Sequence, residues 1–422
     1  MPNASNADVT IIAANFSMMC VAGKGQHSAR VLWKAMLADA NALGGVGGAP
    51  KVVLLQYNGC TQPWTGSSLP KDVLILREFA PDKPSKRART IVTPFVVSKP
   101  PWLVGSAAAG APAAVPWDER ELLFFAGHIP KLYIRPTRYQ IWRQLRRVPN
   151  VTLLSSTLLC GYGPFDTCAA VCRPSTAPRR CGSRCRTPPP YESCAPKTNE
   201  YWTSFCHPFC GNKSTCGGMS MRREEEGNRA AFLRNCNKYL GVNFTAELGD
   251  MRRDTRRLSH AAYLRQAMTS KFCLIAPGDW PSTHKVTEAL ALGGAGGCLP
   301  VFVVPGKTRK AVAPSLGTML PYTRWLDYCS VSYLISEHAA RTDLGPALRR
   351  LAAVTAAEAA QKAAALRAVH AAFTFRAGSS VGAPSAPEYV LGDICAAARR
   401  FRATGDARSA LAGGDLASCT LG

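Results

Sequence analysis

The sequence predicts an α/β protein with two Rossmann-like halves and a cysteine-rich insertion between them. Three observations carry this. Short β-rich apolar runs alternate with helix-patterned stretches in the first part of the chain and again in the last. At roughly 150 residues per domain, 422 residues point to two or three domains. Ten of the 17 cysteines crowd between Cys160 and Cys236, where the periodicity stops.

In order along the chain, residues 8–16 read as a strand, 28–42 as a helix and 51–57 as a second strand, which is a β-α-β unit. Runs at 72–76, 91–97 and 122–125 continue the alternation towards a parallel sheet, with a Pro-, Ala- and Gly-rich linker at 100–116. A basic helix at 139–148 and a short strand at 151–154 close this half. The alternation resumes with helices at 222–240 and 259–268, a strand at 272–276, a helix at about 283–292 and a strand at 299–304. Residues 344–375 read as one Ala-rich helical stretch, and the tail beyond Ala396 as low-complexity and loosely ordered. The domains are thus expected at 1–158, 159–220 (the insertion), 221–380 and 381–422 (tail).

Composition narrows the setting. Apolar residues make up 47% and charged residues 18%, a globular balance unlike that of disordered chains. The net charge of +24 favours anionic partners, although the arginines are spread along the chain and not gathered into a nucleic-acid module. No nucleic-acid partner is therefore expected. Cysteine density together with sequons at Asn3, Asn15, Asn150, Asn212 and Asn243 predicts a disulfide-bonded glycoprotein of the secretory lumen. The Cys-x-x-x-Cys pairs 168/172, 181/185 and 206/210 also fit zinc spacing, but an oxidising compartment favours disulfides. The start MPNASNADVT lacks the pattern of a signal peptide, and no run of 18 apolar residues occurs. The expectation is a lumenal region separated from a membrane anchor.

Residues 270–304 carry the chemistry: strand, Gly/Pro loop, helix, strand. A right-handed crossover puts the loop and helix start at the carboxyl edge of the sheet, where ligands bind. Gly278 permits the tight turn, Pro281 and Ser282 prepare and cap the helix, and its first-turn N–H groups suit a diphosphate. His284, Lys285 and Glu288 share a face: Lys285 or His284 can meet a phosphate, and Glu288 can accept from ribose hydroxyls.

This segment resembles the exostosin glycosyltransferase signature through Ser270-Lys271-Phe272-Cys273-Leu274, Pro277-Gly278-Asp279, Ser282, Glu288-Ala289 and Cys298-Leu299-Pro300-Val301. Ala7-Asp8, the stretch LLFFAG at 122–127 with Arg135 and Arg138 following, Leu320-Pro321-Tyr322 and Leu326-Asp327 are similar too. The resemblance implies a GT-B architecture of two Rossmann-like domains facing across a cleft, the second holding the nucleotide sugar and the first the acceptor, with inversion at the anomeric carbon. It implies that Glu288 binds ribose and that Gly278, Asp279 and Ser282, with Lys271 in the same signature, lie on the donor side. Arg135 or Arg138 would neutralise the diphosphate, since a guanidinium grips two oxygens at once.

His284 and Lys285 stand where the family usually has arginine, and the GGAGG run lengthens the crossover before Cys298. Asp8 and His27 are the candidates for the general base that an inverting transfer needs. Enzymes of this kind need no bound metal or cofactor beyond the nucleotide sugar, expected to be a UDP-sugar, and no Asp-x-Asp pair is present. The expected partners are a nucleotide sugar and a glycan or polysaccharide acceptor, and the expected location is the Golgi lumen. The alternative is a secreted non-catalytic protein that keeps the fold and binds anionic glycans.

Overall fold

The computed structural model describes residues 9–12, 35, 50–54, 73–77, 89–95, 115–127, 137–155, 258–278, 282–305, 312–375, 384–407 and 416–421. The cysteine-rich insertion, the helix expected at 222–240, most of that at 28–42, and Asp8, His27, Arg135 and Asp279 lie outside these residues. The chain divides into two compact units, one of Met1–Phe124, Val148–Val151 and Leu264–Gly422, the other of Phe125–Arg147 and Thr152–Tyr263.

The first unit holds a four-stranded parallel sheet ordered β1 (Thr10–Ile12), β2 (Lys51–Leu54), β3 (Val73–Arg77) and β4 (Thr90–Val92). The run VLIL of β3 is buried on both faces, as continuous apolar strands of parallel sheets are. Period-two alternation puts Leu74 and Leu76 on one face, where they meet Ile394, Ala397 and Ala398 of a helix from the far end of the chain.

A six-stranded sheet runs β10 (Thr420–Leu421), β9 (Tyr333–Ser336), β8 (Leu299–Val304), β7 (Ser270–Ile275), β5 (Glu121–Gly127), β6 (Val151–Ser155). The pairs β5–β7, β7–β8, β8–β9 and β9–β10 are parallel. The α/β class with parallel sheets is thus as the sequence predicts. Asn150, just before β6, is exposed with φ 57, a left-handed conformation that asparagine tolerates, and its carbonyl accepts from Leu122 N at 2.8 Å.

In the second unit, α1 (Thr137–Leu145) buries Tyr139, Ile141, Trp142 and Leu145, with the first and third of these four-residue anchors stacked at 6.0 Å between ring centroids. The helix α2 (His260–Met268) leads into β7.

Further along come α3 (His284–Gly294), α4 (Val312–Met319), α5 (Tyr328–Val331) and α6 (Glu337–Thr342). The single helical stretch expected at 344–375 is interrupted. It forms α7 (Gly345–Ala352), α8 (Ala356–Val369) and a 3-10 turn at His370–Phe373. Thr355 makes the break, because its hydroxyl accepts from Glu358 N at 3.2 Å and so starts a new helix. Tyr333 and Arg350 both donate to the Glu358 carboxylate. Burial alone would raise its pKa, but these bonds outweigh it and hold the group below its ordinary value.

Over its described residues the segment beyond Ala396 is not loosely ordered: α9 (Ala386–Thr404) runs into it, and β10 joins the second sheet. A capping box starts α9, with Ser385 N donating to Glu388 Oε2 at 2.9 Å and Ser385 Oγ to the same oxygen at 2.6 Å. Gly405, φ 70, stops it. The Ser385 hydroxyl and backbone N–H groups pull the Glu388 pKa below its ordinary 4.5. A lowered carboxylate contributes stability that is complete above 4.5 and lost as the pH falls below it. Ser385→Ala removes the cap's hydroxyl and is therefore expected to lower stability near neutral pH. Urea titrations of both proteins should show that gap narrowing in acid.

Among the described residues two disulfides are formed. Cys273, within β7, joins Cys298, which immediately precedes β8, at a Cα separation of 5.4 Å. Cys329 in α5 joins Cys419, one residue before β10, at 5.2 Å. Among the described residues, no helix is long and apolar enough to cross a membrane.

Candidate functional site

The strand order fixes where a ligand can enter. From β5 the chain goes to β6 on one side and then returns to β7 on the other, so the direction of winding reverses between β5 and β7. In open parallel sheets the crevice at the carboxyl ends of strands at such a reversal is the usual binding place. The loop leaving β7 lies at that edge. Ala276, Pro277 and Gly278 continue the strand and are buried, and the next described residues, Ser282 and Thr283, lead into α3.

Thr283, not Ser282, caps this helix. Its backbone is extended (φ −152, ψ 155) and its hydroxyl accepts from Lys285 N at 3.2 Å. A β-branched threonine is at ease in that extended conformation, and Ser282 is buried just before it. Val286, Ala289 and Leu290 turn to the core. On the other side Lys285 Nζ donates to Glu288 Oε2 at 2.6 Å, with the carboxylate side chain 6% and the lysine 24% exposed. His284, in the first turn, is exposed. The three α3 residues picked out in the sequence are therefore together, but Glu288 holds Lys285 at i,i+3.

The first sheet reaches the same helix. Phe95 N, three residues beyond β4, donates to Thr287 Oγ1 at 3.0 Å, and Thr287 is fully buried. Arg77, the last residue of β3, is buried at the carboxyl end of its sheet, and its carbonyl accepts from Thr93 N at 2.8 Å. Sequence reasoning passed over Arg77 and Thr287. The signal for the first was present, since an arginine ending the apolar run VLILR sits at a carboxyl edge by construction.

Two devices hold α3 in place. The Cys273–Cys298 bond closes the β7–α3–β8 crossover covalently. The GGAGG run lets α3 approach α8, since a Cβ on Gly293 would lie 2.5 Å from Leu366 Cδ1, and lets the turn after it pass α2, since one on Gly297 would lie 2.8 Å from Met268 Sδ. The lengthened crossover thus leaves β8 in register, with Phe272 opposite Leu299. Arg120 secures the turn after α3. Its Nη2 donates to Gly296 O at 3.2 Å and its Nε to Val115 O at 2.9 Å, and burial lowers its pKa. Gly296 takes φ 88, which glycine permits without strain.

Lys271 is placed elsewhere. It is the second residue of β7, at the amino edge, with Nζ 5.5 Å from the Trp117 ring centroid. At about 3.3 Å per residue it stands roughly 16 Å of strand away from Ala276. Arg138 belongs to the second unit, where it is buried in the first turn of α1, and a Cβ on Gly127 would come 3.5 Å from its Nη1. Of the expected residues, Gly278, Ser282, His284, Lys285 and Glu288 share one edge. A cation, a carboxylate and a helix amino end in that arrangement can receive a ligand that offers both an anion and a diol. The chain matches no family model and no curated protein.

Proposed function

We propose that the chain is an inverting glycosyltransferase of the exostosin type, a GT-B enzyme taking a nucleotide sugar, most simply a UDP-sugar, and a polysaccharide or glycoprotein glycan in the Golgi lumen. The observation that carries this reading is the Lys285–Glu288 pair in the first turns of the helix behind the switch-point loop. The two disulfides support an oxidising compartment.

In the proposed reaction the acceptor hydroxyl oxygen attacks the anomeric carbon and gives its proton to a base, for which Asp8 and His27 are the candidates. The bond from the anomeric carbon to the diphosphate oxygen breaks on the opposite face, and the nucleoside diphosphate leaves with the electron pair. Lys285 and the N–H groups opening α3 would stabilise the charge gathering on that leaving group. Glu288 would accept from the ribose hydroxyls as Lys285 turns to phosphate.

A thermal-shift panel of nucleotide sugars, followed by calorimetry on the best donor, tests this. A charged hydrogen bond contributes about 1.5–3 kcal/mol, so Glu288→Gln is expected to weaken donor binding roughly ten- to hundredfold. The variant should keep its melting temperature within a few degrees. Unchanged affinity, or a panel in which no nucleotide sugar stabilises the protein, would overturn the proposal.

A further inference from the structure

Trp325 is 40% exposed, one of very few large apolar side chains so placed among the described residues. A single exposed aromatic needs no explanation. This one, however, is built into a rigid stack, with its ring 5.6 Å from Tyr389 of α9 at an interplanar angle of 30° and 5.0 Å from Tyr322. Tyr322 lies beneath, fully buried, with its hydroxyl donating to Ala372 O at 3.0 Å and its ring against Phe373 at 5.4 Å. It also holds φ 60, a left-handed conformation that costs a tyrosine energy and persists only where the surroundings enforce it. The result is a pre-ordered aromatic cluster that reaches solvent through Trp325.

That surface continues along α9. At 100° per residue Tyr389, Gly392, Ala396 and Arg400 fall within one narrow stripe, with Arg399 beside it. Gly392, Ala396, Arg399 and Arg400 are all exposed, while the opposite side of the helix, through Ile394, Ala397 and Ala398, is buried against the first sheet. From Tyr389 to Arg400 the helix rises roughly 16 Å. An aromatic platform, a low shelf of small residues and a pair of guanidinium groups therefore lie in line.

The apolar face of a sugar ring stacks on such an aromatic, and a carboxylate or sulfate on a neighbouring sugar is gripped by an arginine fork. We infer that the Trp325–Tyr389 stack and the Arg399–Arg400 end of α9 form a binding surface for an acidic oligosaccharide, separate from the α3 site. Charge complementarity selects an anion, and the ring stack selects a sugar over a bare polyanion. The surface stands whether or not the chain transfers sugar.

Calorimetry with a sulfated tetrasaccharide, its desulfated counterpart and a single-stranded oligonucleotide of equal charge tests this. Wild type should bind the sulfated sugar at least tenfold more tightly than either control ligand. Arg399→Ser/Arg400→Ser and, separately, Trp325→Ala should each weaken it tenfold or more. Arg341→Ser/Arg349→Ser removes the same charge from exposed positions on α6 and α7 and should change affinity less than twofold. Response to nucleotide sugars should be unaltered in all three variants, so that failure of the α3 reading shows separately. The inference is overturned if the control pair weakens binding as much as the α9 pair, if Trp325→Ala has no effect, if the oligonucleotide binds equally well, or if wild type binds no sulfated sugar.

Discussion

Replacing Cys329 and Cys419 together by alanine is expected to lower stability by about 4–5 kcal/mol, the chain-entropy value for a bond closing a loop of 90 residues. The location makes the full value plausible. β10 is only two residues long and pairs with β9 through Thr420–Leu334 and Leu421–Ile335. The cross-link stands one residue before this short strand, where Cys419 is buried together with Thr420 and Leu421. Guanidinium titrations of the oxidised wild type and the double variant measure this directly. The midpoint should fall with little change in slope. A loss under about 1 kcal/mol would mean that the strand is held by packing and that the denatured chain gains little from release.

Asp393→Ala should cost about 3–5 kcal/mol, because it strands a charge in a site built for a pair. Arg324 Nε and Nη2 donate to the two carboxylate oxygens of Asp393 at 2.8 and 3.2 Å, and Nη1 donates to Ala407 O at 2.6 Å. Asp393 is buried and Arg324 is nearly so. The double change Arg324→Met/Asp393→Leu should recover most of the loss, since no unpaired charge is left, and the difference between single and double variants measures the coupling. If both lose stability equally, the contribution is packing and not pairing. Burial raises the Asp393 pKa above its usual 3.8 and the attraction of Arg324 only partly offsets that. A raised carboxyl binds its proton more tightly folded than unfolded, so its contribution grows as the pH falls towards 3.8. Glu358 and Glu388, whose values are lowered, by contrast contribute stability that is lost as the pH falls below 4.5.

Much of the fold was legible because parallel strands buried on both faces read as unbroken apolar runs: KVVL, VLILR, SKFCLI and LPVFVV each stand out from their flanks. The α3 residues were legible for the same reason, lying between two such runs. α9 was not. Its buried side is made largely of alanine, which carries no strong apolar stripe, and its arginines made the stretch look like a biased tail. The local signal was nonetheless there, in Ser385 with Pro387 and Glu388 following. β9 and β10 were too short to register as periodic. The Lys285–Glu288 pairing depends on rotamers, and Thr287 meeting Phe95 joins residues 192 apart in sequence, so neither could be read from spacing.

The seat of α9 has a consequence for how the chain is made. Leu74, Leu76 and Ile91 are covered by Ile394, Ala397 and Ala398, roughly 300 residues further on. At 5–20 residues per second, a ribosome needs on the order of 15–60 s to deliver that cover after the strands have emerged. Throughout that interval the first sheet lacks the cover that α9 supplies, and contacts so distant in sequence also close slowly once available. A product terminated before residue 386 would leave Leu74, Leu76 and Ile91 without that cover permanently.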